Sequence, residues 1–328
     1  MKRKIILFIS LLFIPFNIKA YSDKIIPGGN TIGIEVSSDG VMVVGFYKVD
    51  GKYNKTNPEI KIGDYIIKIN NENVETVDDL INLVEKYEND KKVNITFRRG
   101  KKEYNTFLEL IEIDNSYKTG LYVKDKITGI GTLSYIDPET NLYGALGHEI
   151  IESSSKNMID IDDGSIFKNV VTSIDRSVNG SPGSKNAKFY SSNIYGNILK
   201  NTKYGIYGNL NKDISSGDAI EIKKLSDINL GKAYIRTVVN GEEIKEYEIE
   251  ITDINKNSKL KSITFKITDE ELLKQTGGIV QGMSGSPIIQ DGYLIGAVTH
   301  VIVDDVTKGY GVSIITMLDE GDKLLNKN

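Results

Sequence analysis

Short alternations of apolar and polar residues run along most of this chain, and helical spacing is confined to a few places. Val93, Ile95 and Phe97 alternate with Asn94, Thr96 and Arg98, the period-two signature of a half-buried strand, and Arg99-Gly100-Lys101 then turns the chain. Asp39-Gly40 leads into the compact apolar run 41–46, and Ile62-Gly63-Asp64-Tyr65-Ile66-Ile67 reads as a second strand. Thr76 with Asp79 three residues on forms a capping box, after which Leu80, Leu83, Val84 and Tyr87 fall on one helical face. Residues 21–112 thus read as one small α/β unit. A polar connection over 115–120 marks its end.

Beyond that connection the pattern is β throughout. The runs 129–135, 232–239 and 262–267 are short, apolar and separated by Gly and Asn turns, which favours a closed barrel or a pair of barrels over 116–328. A short helix is predicted over 317–325. At the other end, Lys2-Arg3-Lys4 precedes an apolar run over 5–18 that Ala20 closes. A basic start, a short apolar core and a small exit residue read as a signal peptide or membrane anchor over 1–20. The run falls short of the ~20 residues of a typical spanning helix. The body of the protein is therefore expected outside the cytoplasm.

Composition narrows the chemistry. Lysine and arginine number 41 against 45 acids, a net charge of -4 that gives no electrostatic reason to expect nucleic acid. No cysteine is present, which removes disulfides, thiolate metal sites and a cysteine nucleophile. Metals and cofactors are not expected: His148-Glu149-Ile150-Ile151-Glu152 lacks the second histidine of a zinc peptidase motif, and Asp160-Ile161-Asp162-Asp163-Gly164 has its glycine one place early for a calcium loop. His148 and His300 are the two histidines, so a neutral-pH base has a short list of candidates.

The candidate nucleophile is Ser284, in Gly282-Met283-Ser284-Gly285-Ser286-Pro287. Apolar runs at 288–289 and 294–298 follow, split by Asp291-Gly292, so the serine lies on a glycine loop leading into a β-hairpin. His148, in Tyr143-Gly144-Ala145-Leu146-Gly147-His148, lies far upstream. Histidine first and Gly-x-Ser-Gly-x-Pro later is the order of chymotrypsin-like peptidases. There His148 would take the serine proton, and the N–H groups of Gly282 and Ser284 would form the oxyanion hole. On pattern alone, a turn serine and a half-buried histidine explain these residues equally well. His300, ending the strand-like run after the serine, suits a substrate-side or core position better than that of base.

Two resemblances change that balance. The order strand, Ile62-Gly63-Asp64-Tyr65-Ile66, turn and capped helix resembles a PDZ domain, which implies peptide binding and puts the carboxylate-cradling loop at Thr31, Ile32, Gly33 and Ile34, with Thr31 where a glycine is usual. Gly129-Ile130-Gly131-Thr132-Leu133, Ala145-Leu146-Gly147-His148, Ser181-Pro182-Gly183, the stretch 277–289 and Gly296-Ala297-Val298-Thr299-His300 look like the stage IV sporulation protein B family of serine peptidases.

That resemblance implies a mainly β protein with a small α/β part: an N-terminal PDZ domain, then a chymotrypsin-like double β-barrel peptidase domain. It implies an exported, membrane-associated enzyme working between the forespore membranes, with Ser284 as nucleophile and His148 as base. Its aspartate falls on Asp269, with Asp175 and the run Asp160, Asp162, Asp163 as alternatives. The implied partners are a protein or peptide substrate, a membrane-anchored regulator of a membrane-embedded protease complex, and the chain itself through self-cleavage. Two readings compete: a non-catalytic PDZ scaffold and an exported housekeeping protease.

Overall fold

The computed structural model of the protein describes residues 21–56, 58–215 and 217–325. The expected signal segment, 1–20, lies outside the described residues. Among those described, no helix is long and apolar enough to cross a membrane.

The α/β unit forms around the residues whose spacing predicts it. Thr76 caps helix Val77–Lys86 with the reciprocal bond to Asp79, and Leu80, Leu83 and Val84 face inward. They pack on Val41, Val43, Ile66, Val93, Ile95 and Phe97 from the adjoining sheet. Strands Lys92–Arg99 and Lys102–Glu109 pair antiparallel across the turn at Gly100, whose φ of 58° is left-handed. Asp64 is buried and accepts from Arg99 Nε at 2.7 Å, from the Arg99 guanidinium terminus at 2.6 Å and from the Lys61 N–H at 2.7 Å. A buried carboxylate is tolerated only when so fully bonded.

A long ribbon joins this unit to the rest. Strand Thr31–Phe46 runs antiparallel to strand Leu121–Ile136, and the register breaks between Ser37 and Met42. The break is a bulge at Gly40, where φ is 89° and a side chain would press on the Ile66 carbonyl at 2.6 Å. On one side of it, residues 41–46 belong to the α/β sheet. On the other, residues 31–37 are enclosed between strand Leu121–Ile136 and strand Asp163–Asp175.

That placement corrects two expectations. Thr31, Ile32, Gly33 and Ile34 are not a carboxylate-cradling loop: all four are buried in a strand that Thr31 opens, with Thr31 paired to Thr132 on one edge and Ile32, Gly33 and Ile34 paired on both, so the segment is committed to the sheet. The boundary also moves. Strand Lys24–Pro27 pairs with Tyr135 and Ile136, so 24–37 belong to the first peptidase sheet and the α/β unit is inserted after its opening strand. The sequence hides this, because an insertion leaves the strand periodicity unbroken on both sides.

The first peptidase sheet continues through Leu142–Ala145, Gly205–Asn209 and the long hairpin of Asp163–Asp175 with Ser184–Asn197. The second half is a closed barrel of Gly231–Val238, Ile244–Ile254, Ile263–Ile267, Lys308–Ser313, Tyr293–Val301 and Pro287–Gln290. Ile235, Ile249, Phe265, Ile288 and Ile295 fill it. The Asp291-Gly292 turn has both φ values positive, 53° and 79°, the hairpin geometry its sequence predicts. Helix Ile314–Leu325 closes the chain, its Met317 and Leu318 buried against the seam between the halves. The architecture is mainly β, an inserted PDZ-like unit ahead of a two-part β peptidase body.

Candidate active site

Helix Glu270–Thr276 ends at Gly277 in the left-handed region, and the loop that follows carries Ser284. Met283, fully buried, anchors it, while Gly282 and Gly285 take φ values of 94° and 95° that an L-residue rarely adopts. A side chain at Gly285 would stand 2.0 Å from the Thr132 carbonyl and 2.6 Å from the Leu146 nitrogen. The loop therefore presses its bare backbone on the first sheet at the strand leading to His148.

Thr132 ties the two together. Its N–H donates to the Ser284 carbonyl at 2.9 Å and its hydroxyl to the Gly282 carbonyl at 2.7 Å. Among the described residues, the N–H groups of Gly282 and Ser284 make no hydrogen bond. Sequence reasoning did not single out Thr132 itself. It lies in the Gly-Ile-Gly-Thr-Leu segment, where the contact at Gly131 from Leu146, 2.3 Å from where a Cβ would sit, explains the glycine.

Lys185 was missed as well. It is 3 % exposed, donates to Thr237 Oγ1 at 2.9 Å, and runs its methylenes beneath Gly282. Burial with a single neutral partner pushes its ammonium down to about 7.

His148 follows Leu146 and Gly147, both left-handed at 69° and 70°, a turn that lays Gly147 on Val298 and Thr299 of the second barrel. Its Nδ1 lies 2.8 Å from the Glu149 carbonyl. A carbonyl only accepts, so Nδ1 carries the proton and the Nε2 lone pair is left as the basic site. The His300 ring faces it, centroids 5.1 Å apart. Burial holds the His148 pKa below the ordinary imidazole value, and burial followed by the nearby His148 and Lys261 pushes His300 down to about 4. Both rings are neutral at pH 7. Ser284 Oγ donates to the Thr299 carbonyl at 2.8 Å, one residue before His300. Serine and both histidines share one seam between the halves, with the hydroxyl turned to the barrel strand.

The structure does not bring Asp269 to His148. Asp269 is the N-cap of helix Glu270–Thr276: it accepts from the Leu272 N–H at 2.9 Å and from the Glu248 N–H at 3.4 Å. The signal was present in Asp269-Glu270-Glu271 ahead of Leu272, which reads as a helix start. Asp175 accepts from the Ser184 hydroxyl at 3.1 Å, and Asp160 lies near Tyr65. The group behind the imidazole is the Glu149 carbonyl instead. Asp269→Asn, which can still cap, is expected to keep kcat within about tenfold, whereas a triad aspartate so changed costs about 10⁴-fold. Asp269→Ala should lower stability by about 1 kcal/mol through the lost cap, read by denaturant unfolding. Among the described residues, no group of three or more metal-binding side chains is present.

A family model described as the SpoIVB peptidase S55 matches residues 115–318, and one described as a PDZ domain matches residues 31–110. Solved structures similar to the chain include the Rv3671c protease of M. tuberculosis in its active form, at 12% identity over 62% of this chain and 76% of that one, with a TM-score of 0.36. Human heparin binding protein is similar at 10% identity over 57% and 76%, with a TM-score of 0.29. No curated protein sequence matches the chain. The peptidase match covers more than half of the chain and includes both halves of the seam that holds Ser284 and His148, so this protein belongs to the SpoIVB peptidase S55 family and is a serine endopeptidase carrying a PDZ domain.

Proposed function

We propose that Ser284 is the nucleophile and His148 its base, in an exported signalling endopeptidase of sporulation. The observation that carries the site assignment is the double hold of Thr132 on the Ser284 and Gly282 carbonyls, which docks the glycine loop on the sheet that ends at His148. Rotation about the Ser284 Cα–Cβ bond would exchange the Thr299 carbonyl for His148 Nε2 as acceptor of the hydroxyl proton. Oγ then attacks the scissile carbonyl carbon while Nε2 takes that proton, and the Glu149 carbonyl steadies the imidazolium through Nδ1–H. The unpaired N–H groups of Gly282 and Ser284 suit the oxyanion; His148 returns its proton to the leaving amine, and water reverses the sequence to release the acid.

The family supports the finer reading: cleavage of a membrane-anchored regulator of a membrane-embedded protease complex, leading to sigma-factor processing, with self-cleavage near the N-terminus. The basic and apolar start of the chain supports export and membrane association, in the space between the forespore membranes. Residues 21–328, purified, are expected to form one fluorophosphonate adduct, at Ser284, to release discrete self-cleavage fragments and to leave casein intact. An adduct elsewhere overturns the site, and steady casein degradation overturns the signalling reading.

A further inference from the structure

A PDZ sheet takes an extended peptide as an added strand, whose alternate side chains fill pockets beside the edge. Here the edge beside the helix is already filled. Met42, Val43, Gly45 and Phe46 pair antiparallel with Lys124, Val123, Tyr122 and Leu121 of the chain itself, while Val41 and Met42 on the other edge pair with Ile66 and Tyr65. Leu121 is buried in the core of the PDZ unit and Val123 packs against it, whereas Tyr122 between them is 57% exposed. That alternation is the one expected of a bound ligand. Val77, Leu80, Ile81 and Val84 of the helix line the same groove as Leu121 and Val123. At its far end Asp125 accepts from the Val77 N–H at 2.9 Å, a carboxylate on the first turn of the helix.

We propose that residues 121–124 are a ligand held in cis by the PDZ groove. A peptide partner with apolar residues at alternate positions binds by displacing them, and the displacement reaches the nucleophile loop. The link is one uninterrupted strand. Leu121–Ile136 leaves the groove, passes the bulge opposite Gly40, and carries Thr132, whose two hydrogen bonds hold Ser284 and Gly282. Ile130 on the same strand lies against Gly282, 3.3 Å from where a Cβ would stand. Groove and loop thus bias one shared element, which is the physical requirement for coupling between distant sites. The occupancy of the groove does not depend on which residues perform the chemistry.

The absence of cysteine makes a clean test available. A Cβ at Gly45 would lie 3.7 Å from that of Tyr122, within disulfide range, so Gly45→Cys with Tyr122→Cys locks the segment in place when oxidised. Val123→Asp evicts it. All proteins are the full chain with Ser284→Ala, and the probe is a labelled synthetic peptide of residues 119–126. Affinity should rank Val123→Asp above the unlocked chain and the unlocked chain above the oxidised pair, with at least about tenfold between the extremes, since apparent affinity scales with the fraction of open groove. Reducing the disulfide should restore binding. Hydrogen exchange at Thr132 should rise about tenfold on binding as the strand loosens. Equal binding before and after reduction, or no binding to a folded Val123→Asp chain, overturns the occupancy in cis. Binding that leaves exchange at Thr132 unchanged overturns the coupling.

Discussion

Ser284→Ala is expected to lower the rate of self-cleavage, and of cleavage of any fluorogenic peptide the chain accepts, by about 10⁴-fold or more, because the acyl-enzyme forms on the hydroxyl it removes. The substitution tests chemistry without dismantling the loop. The left-handed backbone falls on Gly282 and Gly285, while Ser284 itself is not among the residues with positive φ, so alanine fits the conformation. The Ser284 carbonyl still accepts from Thr132, since that bond is to backbone. What is lost is the hydroxyl and its 2.8 Å bond to the Thr299 carbonyl, worth about 1 kcal/mol. A thermal midpoint within a few degrees of the parent, beside a rate at background, is the expected pair of results. A retained rate removes Ser284 from the mechanism, and a collapsed midpoint means the hydroxyl is structural.

How much of this was legible in the sequence depends on the range of the interaction. Asp291-Gly292 between apolar runs and Thr76 with Asp79 fix their own local geometry, and both stand as expected. The glycine loop was legible because Gly282 and Gly285 declare a backbone that other residues resist. Thr132 was not, because its role comes from carbonyls 150 and 152 positions away, and a threonine in a strand looks the same whether or not it holds a loop. Lys185 was hidden for the opposite reason: lysine signals solvent, and only the enclosing strands and Thr237 show it to be buried. Thr31 to Ile34 failed as a ligand loop because strand Thr31–Phe46 serves two bodies. Its first half is closed on both edges, and the alternating burial of Ile34 and Val36 around the less buried Glu35 already reads as a strand. Asp269 was drawn toward the triad by the family resemblance, against a helix-start pattern that explains it locally.

His148→Gln is expected to cost about 10³–10⁴-fold in kcat, the range for removing a general base that also serves as acid. The pH profile separates that role from a merely structural one. Burial keeps the His148 pKa below the ordinary imidazole value, which favours the neutral base at pH 7, and kcat/KM should fall as pH drops through that lowered pKa. Replacing the facing ring by His300→Gln puts a polar amide beside His148 and eases the burial of its cation. The His148 pKa then rises, and the acid limb should move to higher pH with a smaller loss in rate. Stability must follow the same protons. His148 and His300 are neutral when folded, His300 down to about 4, whereas both would protonate near 6.5 when unfolded. Between those values the unfolded chain binds more protons than the folded one at His300, so the contribution of that ring is present in full above about 6.5 and is lost as pH falls toward 4, and His148, lowered by burial, acts in the same direction. Thermal midpoints should therefore drop less steeply over that window in His300→Gln than in the parent. An acid limb that stays in place in His300→Gln shows that the facing ring does not set the basicity of His148, and one that persists in the residual activity of His148→Gln assigns it to another group.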